Sequence, residues 1–146
     1  MACSSKLKNP HFKSAQTAYN NAEQAFVATG TPINVLGVLA TDTGCSLSTF
    51  AGGFTVAHGG LYRISYDVIF TAAGAGTAEI KLLKDTVALP CADAQTTTTA
   101  NGISTLHLET TIYIPVCCNS TPNVSAIISG VAGTINHVCA SMVKLA

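Results

Sequence analysis

Charge is what this sequence has least of. Seven basic and seven acidic residues occur in a chain of 146, where a quarter of a soluble domain, roughly 37 residues here, is ordinarily charged. A folded monomer of this mass exposes roughly 7,000 Å². Fourteen charges cover that thinly, so much of the surface is expected to be buried against other subunits. The formal net charge is zero, which excludes a general nucleic-acid binder, because neutralising phosphates needs a basic field. No apolar run approaches the roughly 18 residues of a membrane-spanning helix. The longest charge-free stretch, Thr110 to Val143, is interrupted by Pro115, Asn119, Pro122 and Asn123. The opening MACSSKLKNPHFK has no apolar centre, so no secretory signal is expected.

The chemistry-bearing motifs are missing too. Cys3, Cys45, Cys91, Cys117, Cys118 and Cys139 include no CxxC pair, which removes support for a zinc ribbon or a thioredoxin-like site. Without a secretion signal, free thiols are expected, behaving as small hydrophobes where buried. There is no GxSxG elbow, HExxH, phosphate loop or dinucleotide fingerprint. His58, His107 and His137 are joined by no motif and read as surface or interface histidines. Asp67 and Glu79 are the one pair of acids that neighbouring strands would set facing each other. No catalytic residue, metal site or cofactor is expected.

What is present is a succession of short strands. Leu61–Thr71 alternates most clearly, with Tyr62, Ile64, Tyr66, Val68 and Phe70 on one face and Arg63, Ser65 and Asp67 on the other. Ile103–Ile114 sets Leu106, Leu108, Ile112 and Ile114 against His107, Glu109 and Tyr113. Further strands are expected at Gln24–Ala28, Ile33–Leu39, Cys45–Phe50, Phe54–Ala57, Thr77–Lys84, Val87–Leu89 and Asn123–Ser129. Turns are expected at Thr41–Gly44 and around the adjacent Cys117 and Cys118. Cys91–Gly102, with its four threonines, reads as an exposed loop that presents Thr96, Thr97, Thr98 and Asn101.

The final strand, Thr134–Leu145, is apolar on both faces, with Val138, Ala140 and Met142 on one and Ile135, Cys139, Val143 and Leu145 on the other. The outer face of a sandwich strand is normally wet, so double-sided burial points to a subunit interface. Ile135, His137, Cys139, Val143, Leu145 and, from the preceding strand, Ile127 are its expected members. About ten short strands with Gly and Pro turns at close intervals indicate an all-β, antiparallel sandwich or jelly roll over residues 23–146. Residues 1–22 carry Lys6, Lys8 and Lys13 and no acid, whereas residues 23–146 hold four basic and seven acidic residues. They read as an N-terminal tail, either extended or with a short helix over Ser14 to Gln24, suited to anchoring on an acidic surface.

The stretch FTVAHGGLYRISYDVIF resembles the segment of complement-type globular heads in which a glycine precedes an aromatic-rich strand; Phe54, Gly60, Tyr62, Ile64 and Tyr66 carry the pattern. AFVATG is similar to the first strand of such heads. That family, with the tumour-necrosis-factor-like proteins, implies a ten-stranded jelly roll packed as a homotrimer. TPINVLG, TGCSLS and GGLYRISYD resemble small phage proteins and the heads of collagen-like spore-surface proteins, although no Gly-X-Y stalk is present. The resemblance implies a non-enzymatic structural protein made in the host cytoplasm and carried on the exterior of a phage capsid. It would decorate or project from that capsid, its tail bound to the major capsid protein or another virion protein, without nucleic acid or membrane. The alternative it implies is a spore-surface or adhesive head that binds a glycan or a host-surface ligand. Some complement-type heads bind calcium; here Asp42, Asp85 and Asp93 lie in or beside turns but form no Asp-rich loop. In a trimer, His107 or His137 would form a ring on the threefold axis.

Overall fold

Alternation at period two places every second side chain of the central strand inside the molecule. In the computed structural model, which describes residues 14–40, 46–116 and 121–146, Tyr62, Ile64, Tyr66, Val68 and Phe70 are fully buried. Arg63, Asp67 and Ile69, of the other parity, are exposed. The strands are β1 (Ala15–Asn20), β2 (Gln24–Phe26), β3 (Thr31–Pro32), β4 (Gly37–Ala40), β5 (Leu47–Phe50) and β6 (Gly53–Val56). There follow β7 (Gly60–Ala72), β8 (Gly76–Lys84), β9 (Val87–Thr98), β10 (Ile103–Ile114), β11 (Asn123–Ser129) and β12 (Gly133–Lys144).

They form two antiparallel sheets. The first runs β10-β7-β12-β1-β4, with β2 also paired to β12; the second runs β5-β6-β11-β8-β9, with β3 also paired to β11. Successive strands cross repeatedly between the sheets, and the first strand lies beside the last, as in a jelly roll. The core lies between the sheets. Tyr66 and Phe70 of the first sheet meet Phe54 of the second and Phe26 of β2: the Phe54–Tyr66 rings are edge-on at 6.5 Å and the Phe26–Phe70 rings at 5.7 Å. Ile80, Leu82, Val124, Ala126 and Ile128 close the core from the second sheet. Gly53 lets β6 approach β11 closely, since a Cβ there would sit 2.1 Å from the Val124 carbonyl oxygen.

Four expectations are corrected. Residues 14–20 form no helix and do not project: β1 is hydrogen-bonded between β12 and β4, so the sheet begins well inside the expected tail. Its burial alternates, with Gln16, Ala18 and Asn20 inward. A polar face interrupted by single apolar residues hid that period. Second, Cys91–Gly102 is no loop. It continues β9 as far as Thr98, and β-branched threonines suit an edge strand. Thr97 is exposed and Thr96 half-buried, but Thr98 is buried, its Oγ1 donating to the Gly74 carbonyl at 2.9 Å. Asn101 does lie exposed in the following turn, at φ 58°, a left-handed conformation that asparagine tolerates.

Third, Ile135 is fully buried in the core. The register between β12 and β7 shifts between Ile135 and His137, so Asn136 is an extra residue, and its Nδ2 donates to Thr71 Oγ1 at 2.9 Å. Such a bulge reverses side-chain parity along the strand. Ile135 therefore points the same way as Val138, Ala140 and Met142 rather than with Cys139 and Val143. Fourth, Asp67 and Glu79 do not face each other, because they lie in different sheets; Gln95 and Lys81 contact Glu79 instead. The expected turn at Thr41–Gly44, together with Lys6, Lys8, Lys13, Cys3, Cys45, Cys117 and Cys118, lies outside the described residues.

Candidate functional site

The apolar residues that the fold leaves exposed are concentrated on one surface. Among the described residues, nine large hydrophobic side chains are exposed, and five of them stand on the outward face of the first sheet. They are Leu61 (36% exposed), Ile69 (38%), Ile103 (74%), Tyr113 (68%) and Leu145 (41%). Strand pairing sorts them. Tyr113 lies opposite Leu61, and Leu145 follows β12, its N–H donating to the Leu61 carbonyl at 2.7 Å. Ile103 and Ile69 stand at the far end, opposite Thr71 and Thr105. Half-buried Val143 lies beside Arg63.

Between these apolar ends runs a row of titratable side chains. His107 of β10 pairs with Asp67 of β7, Asp67 with Cys139 of β12, and Cys139 with Tyr19 of β1. His107 Nδ1 is 2.6 Å from Asp67 Oδ1, and its Nε2 is 3.6 Å from Glu109 Oε2. Arg63 Nε lies 3.7 Å from Glu109 Oε1. The hydrogen bond to Asp67 is the main influence raising the His107 pKa, against a small opposing effect of desolvation. Partial burial, with the nearby Asp67 charge, pushes the Cys139 thiol up. That direction favours the thiol over the thiolate at neutral pH.

Among the described residues no group of three or more His, Cys, Asp or Glu side chains converges as metal ligands. Ser46 Oγ lies 3.1 Å from His58 Nδ1, but Ser46 is fully buried and cannot meet a substrate. Tyr62 donates to the His58 carbonyl at 2.6 Å, so this group secures a corner of the sandwich. Cys91 and Cys139 are free thiols. No helix among the described residues is long and apolar enough to cross a membrane.

No protein-family model and no curated protein matches the sequence. Solved structures do match the fold. Mouse APRIL at pH 5.0 superposes with a TM-score of 0.67 at 12% identity, over 92% of this chain and all of that one. The globular domain of zebrafish complement 1qA protein gives 0.65 at 11% identity, over 92% and 98% of the two chains. The vertex protein P5 of phage PRD1 gives 0.58 at 18% identity, over 90% and 72%. The fold is the tumour-necrosis-factor and complement-head jelly roll.

Within this TNF-like jelly roll, the six expected interface residues divide. Cys139, Val143 and Leu145 share the outward face of the first sheet. His137 is on that face too but is bonded to Asn21 Oδ1. Ile135 is in the core. Ile127 belongs to the second sheet and points away on the opposite side of the sandwich. It pairs with Pro32 of β3, and a Cβ on Gly30 would lie 2.9 Å from its Cδ1. The chain itself therefore covers Ile127 in part, leaving it half-buried. Sequence reasoning missed Leu61, Ile69, Ile103 and Tyr113. The same sign that marked the last strand, apolar residues in both parities, is present at the ends of Leu61–Thr71 and Ile103–Ile114.

Proposed function

We propose that the chain is a non-enzymatic structural protein of a virion exterior: a homotrimeric TNF-like jelly roll that decorates or projects from a phage capsid. The observation that carries association is the outward face of the first sheet, where Leu61, Ile69, Ile103, Tyr113 and Leu145 frame a polar centre. Apolar patches of this kind on a charge-poor surface mark protein contacts. The subunit number rests on the complement-head resemblance. The virion setting is supported by the fold shared with the PRD1 vertex protein and by the phage-like segments of the sequence. In this reading, residues 1–13, with Lys6, Lys8 and Lys13, anchor the trimer to a capsid protein, because Ala15–Asn20 is already committed to the sheet. Synthesis is in the host cytoplasm, with no cofactor. A second reading, a glycan- or ligand-binding head, is favoured by the exposed hairpin tip at Thr99, Ala100 and Asn101.

Light scattering at micromolar concentration tests the assembly. The expected mass is three times 14.9 kDa, falling to one subunit in Leu145→Asp. A monomeric wild type refutes the reading. Deletion of residues 1–13 should leave the trimer intact and abolish capsid binding. Undiminished capsid binding would place the anchor elsewhere, and saturable binding of a sugar at the hairpin tip would favour the second reading.

A further inference from the structure

The polar centre of this face sets one imidazole between two carboxylates. His107 stands with Nδ1 at hydrogen-bond distance from the Asp67 carboxylate, 2.6 Å, and with Nε2 facing the Glu109 carboxylate at an ion-pair distance of 3.6 Å. A neutral imidazole carries one N–H and no charge; the imidazolium carries an N–H on both nitrogens and a positive charge between the two carboxylates. We propose that the face is a proton-linked interface between copies of this chain, with His107 as the switch that sets how tightly the copies hold together. The inference rests on the reading that this face is the subunit contact, and it adds the regulation of that contact.

The charges on the face can be followed group by group. From β7 come Arg63 and Asp67, from β10 His107 and Glu109. Opposite Asp67 on β12 stands Cys139, its thiol pushed up by partial burial, and beside Cys139 on β1 stands the Tyr19 phenol; the Tyr113 phenol stands at the apolar end of β10. Further along β12, His137 is occupied by Asn21. With His107 protonated, two positive charges balance two negative ones. With His107 neutral, one carboxylate charge is left over on every copy.

In the free protomer that surplus is tolerable, because these side chains are about half exposed and water screens them. When a second copy covers the face, water leaves, and an unbalanced carboxylate in a dry contact is costly. Association therefore favours the protonated form, and each subunit takes up a proton as it joins. A base whose pKa is higher in the assembly than in the free protomer supports assembly below its free-state pKa. It loses that support as pH rises through the assembled-state value. The window accordingly opens above the ordinary histidine value, because the Asp67 hydrogen bond already raises His107 in the free protomer, and it extends upward from there. The Cys139 thiol is pushed up as well, towards its uncharged form.

The test compares light-scattering mass and subunit exchange between two fluorescently labelled populations at pH 6 and pH 8.5. Exchange remains measurable even where dilution produces no monomer. The wild type should exchange about tenfold faster at pH 8.5, since one pKa unit of linkage corresponds to a factor of ten. His107→Gln should exchange at one rate at both pH values, fast throughout. His107→Arg, permanently charged, should be slow at both. A wild-type oligomer whose exchange is the same at both pH values, or a His107→Gln protein that keeps the dependence, overturns the switch and leaves the interface standing. A wild-type monomer at both pH values overturns the interface and the switch together.

Discussion

Tyr66 carries a hydroxyl that the fold does not use. Its side chain is fully buried in the centre of β7, and its Oη has no hydrogen-bond partner among the described residues. Burial holds the phenol far above its usual ionisation range. Tyr62, four residues earlier on the same strand and equally buried, donates to the His58 carbonyl at 2.6 Å. The two tyrosines form an internal control, because removing the oxygen takes an unpaired group from one site and a paired one from the other. A buried unsatisfied hydroxyl costs about 1–3 kcal/mol. The void left by one oxygen returns a few tenths of a kcal/mol of that, at roughly 24 cal/mol per Å³. Tyr66→Phe should therefore stabilise the protein by about 1–2 kcal/mol, and Tyr62→Phe should destabilise it by about 1 kcal/mol.

The assay is urea unfolding at fixed protomer concentration, so that association contributes equally to each variant. The midpoints should move in opposite directions at unchanged slope. A pH series adds a second signature. Above about pH 10 the phenol ionises in the unfolded chain but not in the fold, so the unfolded state binds fewer protons and stability falls as pH rises. For Tyr66 that fall is about 1.4 kcal/mol per pH unit, and Tyr66→Phe should lack this component. If Tyr66→Phe lowers the midpoint as Tyr62→Phe does, the hydroxyl has a partner in solution and the reasoning fails.

Other residues give sharper local tests. The hairpin between β8 and β9 turns through Asp85 and Thr86 at φ 48° and 70°, and a β-branched residue is disfavoured in that left-handed region. Thr86→Gly should raise the urea midpoint by an amount corresponding to about 1 kcal/mol. Asp85→Ala should lower it by a similar amount, because Asp85 Oδ1 accepts from the Asn123 N–H at 2.9 Å. The bulge at Asn136 is tested by truncation on either side of it. Ile135→Ala removes core volume and should cost about 2–4 kcal/mol of stability. Val143→Ala should change protomer stability by about 1 kcal/mol or less while speeding subunit exchange.

How much of this was legible in the sequence depended on whether period two was unbroken. In Leu61–Thr71 and Ile103–Ile114 it was, and the inward residues were read correctly one by one. In β12 a single inserted residue reversed the parity, and nothing in TINHVCASMV marks where the insertion falls. Only the pairing of Ile135 with Phe70 and of His137 with Ile69 exposes it. β1 was missed because its inward residues, Gln16, Ala18 and Asn20, are polar or small, so the alternation carries almost no hydropathy contrast. The His107–Asp67 contact was unreadable for another reason. It joins residues forty positions apart, and no local pattern encodes which strands become neighbours or in what register.

The same limit explains why one rule meets different surroundings on β12 and on β11. An apolar side chain on the outer face of a strand must be covered, but the covering group can come from the same chain. Ile127 pairs with Pro32 in the sheet and its side chain lies against the Gly30 turn, which leaves it half-buried within its own chain. Leu145 and Tyr113 meet no such segment among the described residues and remain exposed, at 41% and 68%. What points to an interface is therefore the outward residues that the described chain leaves uncovered, not outward hydrophobicity as such. It also predicts the shape of the contact: apolar at both ends of the first sheet, with a charged centre between them. A contact of that kind gains its strength from the ends and acquires its dependence on conditions from the middle, because apolar burial does not respond to pH and the His107 cluster does.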